Sequence, residues 1–358
     1  MKVMAMYLPQ FHRVRENDEW WGEGFTEWTN VKKAQPLFTG HYQPRIPLDE
    51  NYYDLSKKGT IIDQMRMAKN NCVDVFCIYH YWFRGRQLLE KPAELLVKEN
   101  ELPIEFCFCW ANESWTRTWD GNDGAKEILI SQDYGDKSDW KKHYDYLRIF
   151  FCHKNYLKLG NRPVFMIYKP MDSELLKDIF CMWNELAIRD GFDGIYMLSC
   201  YRNLRINTFP LYGDALYDFE PFATLSSCTY SERAELSSVR KGFNGKNYTV
   251  IDYEGFMKKM VLREYLFEKC HNRGIFVGWD NTARRGDNTE LIFENCSPDV
   301  FKISFEKLYC ITMQNKNDFI VINAWNEWGE GTYLEPDTRY GMEYLRAIRD
   351  VREKYAEF

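Results

Sequence analysis

The sequence has no excess of positive charge: 47 Lys and Arg stand against 53 Asp and Glu, a formal net charge of −6. That balance excludes the basic footprint that a nucleic-acid partner requires. It also lacks any run near the roughly 18 apolar residues of a membrane span, so no spanning segment is expected. The opening MKVMAMYLPQFH has one basic residue and a short apolar run ending at Pro9, without the longer apolar region of a secretion signal, which points to the cytoplasm. Paired CxxC and HExxH spacings are missing among the 11 cysteines and six histidines. The odd cysteine count, with Cys72, Cys77, Cys107, Cys109 and Cys200 inside apolar runs, reads as reduced thiols packed in a core. Neither metal nor cofactor is expected. Asp120 and Asp123 in WDGND faintly resemble a metal-binding acidic motif of nucleotide-sugar enzymes, but Gly and Asn there serve a turn equally well. Internal repeats, Pro/Ser-rich linkers, low-complexity tracts and a well-formed Gly-rich phosphate turn are absent too, and residues 1–358 read as a single domain.

What the sequence has in abundance is aromatic rings, 17% of the chain with 12 tryptophans. Eight apolar runs of strand length recur at 2–11, 73–83, 104–112, 163–170, 194–201, 215–221, 274–281 and 319–328. Amphipathic segments of helical period fill most gaps, at 60–70, 92–100, 137–156, 173–189, 253–271, 301–314 and 340–355. Only the link between the fifth and sixth runs lacks one. Near-continuous apolar strands alternating with helices predict an α/β fold, a (β/α)8 TIM barrel with long βα loops at 12–58, 113–136, 222–252 and 282–296. A doubly wound open sheet is the competing arrangement.

In such a barrel the residues closing the strands converge on one mouth. Tyr7 and Gln10 close the first run, with Trp21 and Trp28 in the loop beyond; His80, Tyr81 and Trp82 close the second. Trp110, Asn112 and Glu113, followed by Trp115, close the third; Asp218 and Glu220 the sixth; Trp279 and Asp280 the seventh. The last run ends in NAWNEWGEG, with Asn326, Glu327, Trp328 and Glu330. A flat apolar ring with a polar edge suits the face of a pyranose, and a carbohydrate is the expected ligand. Carboxylates three residues apart can share one cavity, as a pair that protonates a glycosidic oxygen on one side and acts on the sugar from the other. Trp325 and Trp328 beside them would raise a carboxyl pKa by excluding water. The plainer use of Glu327 and Glu330 is a helix cap or a solvated loop; for Asp218 and Glu220 it is pairing with an arginine, and for His80 a satisfied core position. Arg84, Arg86, Arg117, Arg284 and Arg285 would gather near the same mouth, which suggests an acidic glycan.

YLPQFHRVRENDEWWGEGFTEWTNV, WANESWTRTWDG, GWDNTARR and NAWNEWGEGTYLEPD together resemble the WbsX-type proteins of bacterial surface-polysaccharide loci. Those proteins are similar to the family 99 glycoside hydrolases, the endo-α-mannosidases and endo-α-mannanases. The resemblance spans nearly the whole chain and implies a (β/α)8 barrel, no metal, and retaining endo-cleavage of an α-linked glycan through a 1,2-anhydrosugar. It implies Glu327 as the base that activates the substrate's 2-hydroxyl and Glu330 as the acid/base at the glycosidic oxygen. Gly329 stands between them where those hydrolases carry a histidine. Two alternatives stay open: a glycosyltransferase or transglycosidase of polysaccharide assembly, and a barrel that binds glycan without catalysis.

Overall fold

The structure, a computed structural model, describes residues 1–117, 127–202, 213–264 and 270–356. Eight parallel strands form a closed barrel: β1 Lys2–Tyr7, β2 Val75–Phe83, β3 Glu105–Trp110, β4 Arg162–Ile167, β5 Tyr196–Tyr201, β6 Ala215–Asp218, β7 His271–Phe276 and β8 Phe319–Asn323. Each pairs with its successor, and β1 pairs with both β2 (Met4 opposite Val75) and β8 (Lys2 opposite Phe319), which closes the cylinder. Helices α1 Lys58–Asn70, α2 Lys91–Leu96, α3 Lys137–Phe151, α4 Leu175–Arg189, α5 Tyr253–Leu262, α6 Pro298–Gln314 and α7 Glu343–Lys354 fill the other connections. Most of the β5–β6 connection, 203–212, lies outside the described residues, as do Trp119, Asp120 and Asp123.

Local chemistry explains these elements. All nine residues of β2, VFCIYHYWF, are buried, because a barrel strand is covered inside by other strands and outside by helices. Helix α7 buries Tyr344, Leu345, Ala347, Ile348 and Val351 on one stripe and leaves its charges in water. Asp136 caps α3 through the amides of Ser138 and Asp139, and Ser297 followed by Pro298 starts α6. The helical period at 253–271 stops early: α5 ends at Leu262, and His271 already belongs to β7. The polar start of β7, His271–Arg273, lies outside the apolar run expected at 274–281, but the side-chain amide of Asn272 bonds the Leu216 carbonyl and His271 bonds Asp218, so β6 supplies the partners. Gly274 is required there, since a Cβ would lie 2.1 Å from the Asp218 carbonyl oxygen.

Sulfur fills part of the barrel interior, with Cys77 Sγ 3.0 Å from Met166 Sδ and Cys109 Sγ 3.7 Å from the Tyr217 hydroxyl. Cys77, Cys107, Cys109 and Cys200 are buried free thiols, whereas Cys72 is half-buried. Among the described residues no helix is long and apolar enough to cross a membrane, and no group of three or more His, Cys, Asp or Glu side chains is placed to hold a metal ion.

The long loops at the strand C-termini brace one another. Strands Ser237–Lys241 and Asn247–Asp252 from the loop after β6 join Ile292–Glu294 from the loop after β7 in a small sheet. Leu37 and Phe38, from the loop after β1, pack with Tyr248, Val250 and Ile292 against that sheet. Three loops thus form one wall around the mouth.

Candidate active site

The mouth holds a cavity of about 470 Å³. Beyond β8, Asn326–Glu327 pairs antiparallel with Thr332–Tyr333, and the tight turn Trp328–Glu330 between them sets Glu327 and Glu330 in the cavity wall. Arg284, on the short helix Thr282–Arg285 after β7, lies between the two. Its Nη2 bonds Glu327 Oε2 at 2.9 Å, its Nη1 bonds Glu330 Oε1 at 2.8 Å, and its Nε bonds Glu27 Oε1 at 2.8 Å. Glu27 comes from the helix Glu27–Lys33 in the first loop. One guanidinium, on the loop after β7, therefore gathers three carboxyl groups from the loops after β1 and β8.

Gly329 makes room for this arrangement. A Cβ at that position would lie 1.9 Å from Glu27 Oε1 and 2.7 Å from Arg284 Nε, so the Glu27–Arg284 pair fills the space that a side chain there would need. Burial disfavours charge on the whole group. It pushes the Glu327 carboxyl up to about 8 and that of Glu330 upward, against the pull of Arg284, and the charge of Glu27 adds to both shifts. Arg284 is buried too, yet its three carboxylate neighbours hold it firmly charged. With one cation against three carboxyls, burial and mutual repulsion favour a proton on the Glu327–Glu330 pair, a property of the pair rather than of either residue.

Of the residues expected at the mouth, Gln10, Trp21, Tyr81, Glu113, Trp115 and Trp279 line this cavity together with Glu327 and Glu330. Gln10 is fully buried, and neither its amide oxygen nor its nitrogen has a hydrogen-bond partner among the described residues. Such an amide is ready for a hydroxyl-bearing ligand.

The others do not line it, and side-chain parity along the strands is the main reason. On β2, Tyr79 and Tyr81 face the cavity, so His80 and Trp82 face α3: His80 Nε2 lies 2.7 Å from His143 Nε2, and Trp82 stacks on His143 at 4.3 Å. Burial lowers the pKa of both histidines. Trp110 packs on His143 and Trp183, and the Tyr7 hydroxyl reaches Gln64 of α1 at 2.6 Å. Asn112 and Asn326 are backbone clamps, Asn112 on both peptide groups of Lys169 and Asn326 on both of Leu8. Asp218 pairs with Arg263, Arg273 and His271, and Glu220 pairs with Arg263 and Thr224. Asp280 accepts from Gln43 at 2.7 Å and lies 2.9 Å from His41.

The tryptophans of NAWNEWGEG also turn away from the cavity. Trp325 and Trp328 both donate their indole N–H to Glu335, at 3.1 and 2.7 Å, and Trp328 stacks on Tyr333 at 3.7 Å. Trp28 packs on Trp328 and bonds the Tyr53 carbonyl. Glu335 further accepts from Tyr53 and Gln64. These rings are a framework under the turn Trp328–Glu330 rather than part of the cavity wall.

Sequence reasoning missed Glu27, Glu335, Arg202 and the rings Tyr79, Phe219 and Phe222 that complete the cavity wall. For Glu27 and Glu335 a signal existed, since both lie in quoted motif stretches. Tyr79 shares parity with Tyr81 and could have been inferred from it.

The comparisons agree with this geometry at the level of fold and family. Residues 3–348 match the family described as Glycosyltransferase WbsX. The chain is 33% identical over 353 residues to protein WxcX of Xanthomonas campestris pv. campestris strain B100, and 34% identical over 356 residues to WxcX of strain ATCC 33913. In both cases the alignment covers 98% of this chain and 49% of the relative, so the chain spans about half the length of the curated relatives it matches. Among solved structures, the GH99 endo-alpha-mannosidase from Bacteroides thetaiotaomicron superposes with a TM-score of 0.57 at 14% identity, covering 99% of this chain and 97% of that one. A glycoside hydrolase-like protein superposes with a TM-score of 0.61 at 12% identity, covering 98% and 93%. These two share the barrel fold. The family match along almost the whole sequence, together with relatives at a third identity, makes this chain a member of the WbsX glycosyltransferase family.

Proposed function

We propose that the chain acts on an α-linked glycan of bacterial surface-polysaccharide metabolism, as a retaining endo-glycosidase. The observation that carries this reading is the pair Glu327 and Glu330, held on adjacent nitrogens of Arg284 in a cavity walled by aromatic rings. Sharing one guanidinium keeps the two carboxyls close together in the cavity wall, as a pair acting on one glycosidic bond requires. The upward shift of the pair favours the protonation state cleavage needs, with one carboxyl neutral and one ionised.

In this reading Glu327 draws the proton from the substrate's 2-hydroxyl, whose oxygen attacks the anomeric carbon. The glycosidic C–O bond breaks, and the departing oxygen takes the proton of Glu330. Water then opens the 1,2-anhydrosugar, giving its proton to Glu330 while Glu327 returns one to the 2-oxygen. Arg284 orients both carboxyls and balances their charge, and Gln10 is placed to bind a sugar hydroxyl.

A transfer reading has its own support in the family's description: the same carboxyls would pass the glycosyl group to an acceptor sugar. One experiment separates the readings. The protein is incubated with repeat-unit oligosaccharides of its host's polysaccharide, with and without sugar nucleotides, and the products are weighed by mass spectrometry. Shortened oligosaccharides support hydrolysis, whereas lengthened ones support transfer. Glu330→Gln is expected to lower turnover about 10²–10⁴-fold. Binding without turnover in the wild type would instead mark a non-catalytic barrel.

A further inference from the structure

Arg202 follows β5, and its guanidinium lies over the rings of Tyr168 at 4.6 Å, Phe222 at 5.0 Å and Phe219 at 5.4 Å, in the wall of the cavity. Among the described residues it has no ion pair and no hydrogen bond. Two acidic groups of the same wall are already engaged, Glu113 by Lys169 at 2.9 Å and Glu330 by Arg284 at 2.8 Å. Three ring faces hold the cation in place, but ring faces are a partial substitute for an anion. A half-buried guanidinium held open in this way presents a flat donor fork that fits a carboxylate or a phosphate.

Most of the arginines expected to sense an acidic sugar are not available for it. Arg84 bonds Asp133 and Asp139, Arg86 bonds Glu16, and Arg117 bonds Glu127. Arg284 is committed to its glutamates. Arg285 does line the cavity, and Arg202, which sequence reasoning passed over, joins it there.

We propose that the glycan carries an oxyanion, a uronate carboxylate or a phosphate ester, and that Arg202 is the residue that reads it. This rests on the cavity being a glycan site. A consequence reaches the chemistry, because the charge of Arg202 works against a proton on Glu330. An oxyanion docked on Arg202 cancels that effect, so an acidic substrate helps Glu330 keep the proton it must deliver.

The test is calorimetric titration with two matched pairs: a glucuronate-containing oligosaccharide and its carboxyl-reduced twin, and a phosphorylated oligosaccharide and its dephosphorylated twin. Wild type is expected to bind the acidic member of one pair about tenfold or more tighter than its neutral twin, as a charge-assisted hydrogen bond allows. Which pair responds identifies the oxyanion. Arg202→Gln brings that ratio close to one, and Arg202→Lys keeps part of it; the lysine variant serves if the glutamine variant does not fold. Equal binding of acidic and neutral twins to wild type, or a ratio that survives in Arg202→Gln, overturns the assignment while the glycan reading stands. Failure of all four oligosaccharides to bind overturns both.

Discussion

Arg284 is one buried cation among three carboxyls, and its removal isolates what it contributes. Two long-lived features depend on it: the position of Glu327 and Glu330, and the tolerance of the fold for acidic groups with little access to water. Arg284→Met keeps the bulk and removes the charge, leaving those carboxyls without a counter-ion. A loss of about 3–5 kcal/mol in unfolding free energy is expected from urea denaturation at pH 7. The loss shrinks at pH 5, where protonation relieves the carboxyls, and an unchanged urea midpoint at both pH values would refute this role. Nothing in local spacing announces the group, since Glu27 and Arg284 are 257 positions apart. Residues 12–58 read as a loop, and within it Glu27 opens a short helix, Glu27–Lys33.

At the scale of the element, β2 divides its aromatic residues between two tasks. Tyr79 and Tyr81 face the ligand cavity, while His80 and Trp82 pack against His143 of α3. Trp82→Ala is therefore expected to cost about 3–5 kcal/mol of stability while leaving glycan affinity close to wild type. Tyr81→Ala should do the reverse, weakening binding with a smaller change in the unfolding midpoint. A Trp82 variant that keeps its stability and loses its ligand would show that β2 faces the other way. The turn after β8 follows the same logic: Glu327 and Glu330 reach the cavity because Trp325 and Trp328 are anchored behind them on Glu335.

For the whole molecule, the burial of Glu327 at the barrel mouth has a pH signature. Glu327 has an ordinary carboxyl value of 4.5 and is raised to about 8 by burial. A carboxyl raised by folding contributes stability fully below its unfolded value and loses it as pH climbs through the folded value. The thermal midpoint should thus fall as pH climbs from about 4.5 to 8, and the double variant Glu327→Gln, Glu330→Gln, with no proton to lose at either member of the pair, should flatten that part of the curve. Parallel profiles for the two proteins would mean that the pair is ordinary. By itself the sequence determined the alternation of eight strands with helices, the end of the barrel that carries the mouth, and the two glutamates beyond β8. All of these are written in local period and composition. The tertiary structure alone decided which aromatic rings line the cavity and which lie behind it. A barrel strand is apolar on both faces, so its composition carries no parity signal until closure fixes which face is inside. The partners of Arg284 and the aromatic setting of Arg202 were decided the same way, because contacts between distant loops exist only once the barrel has brought those loops together.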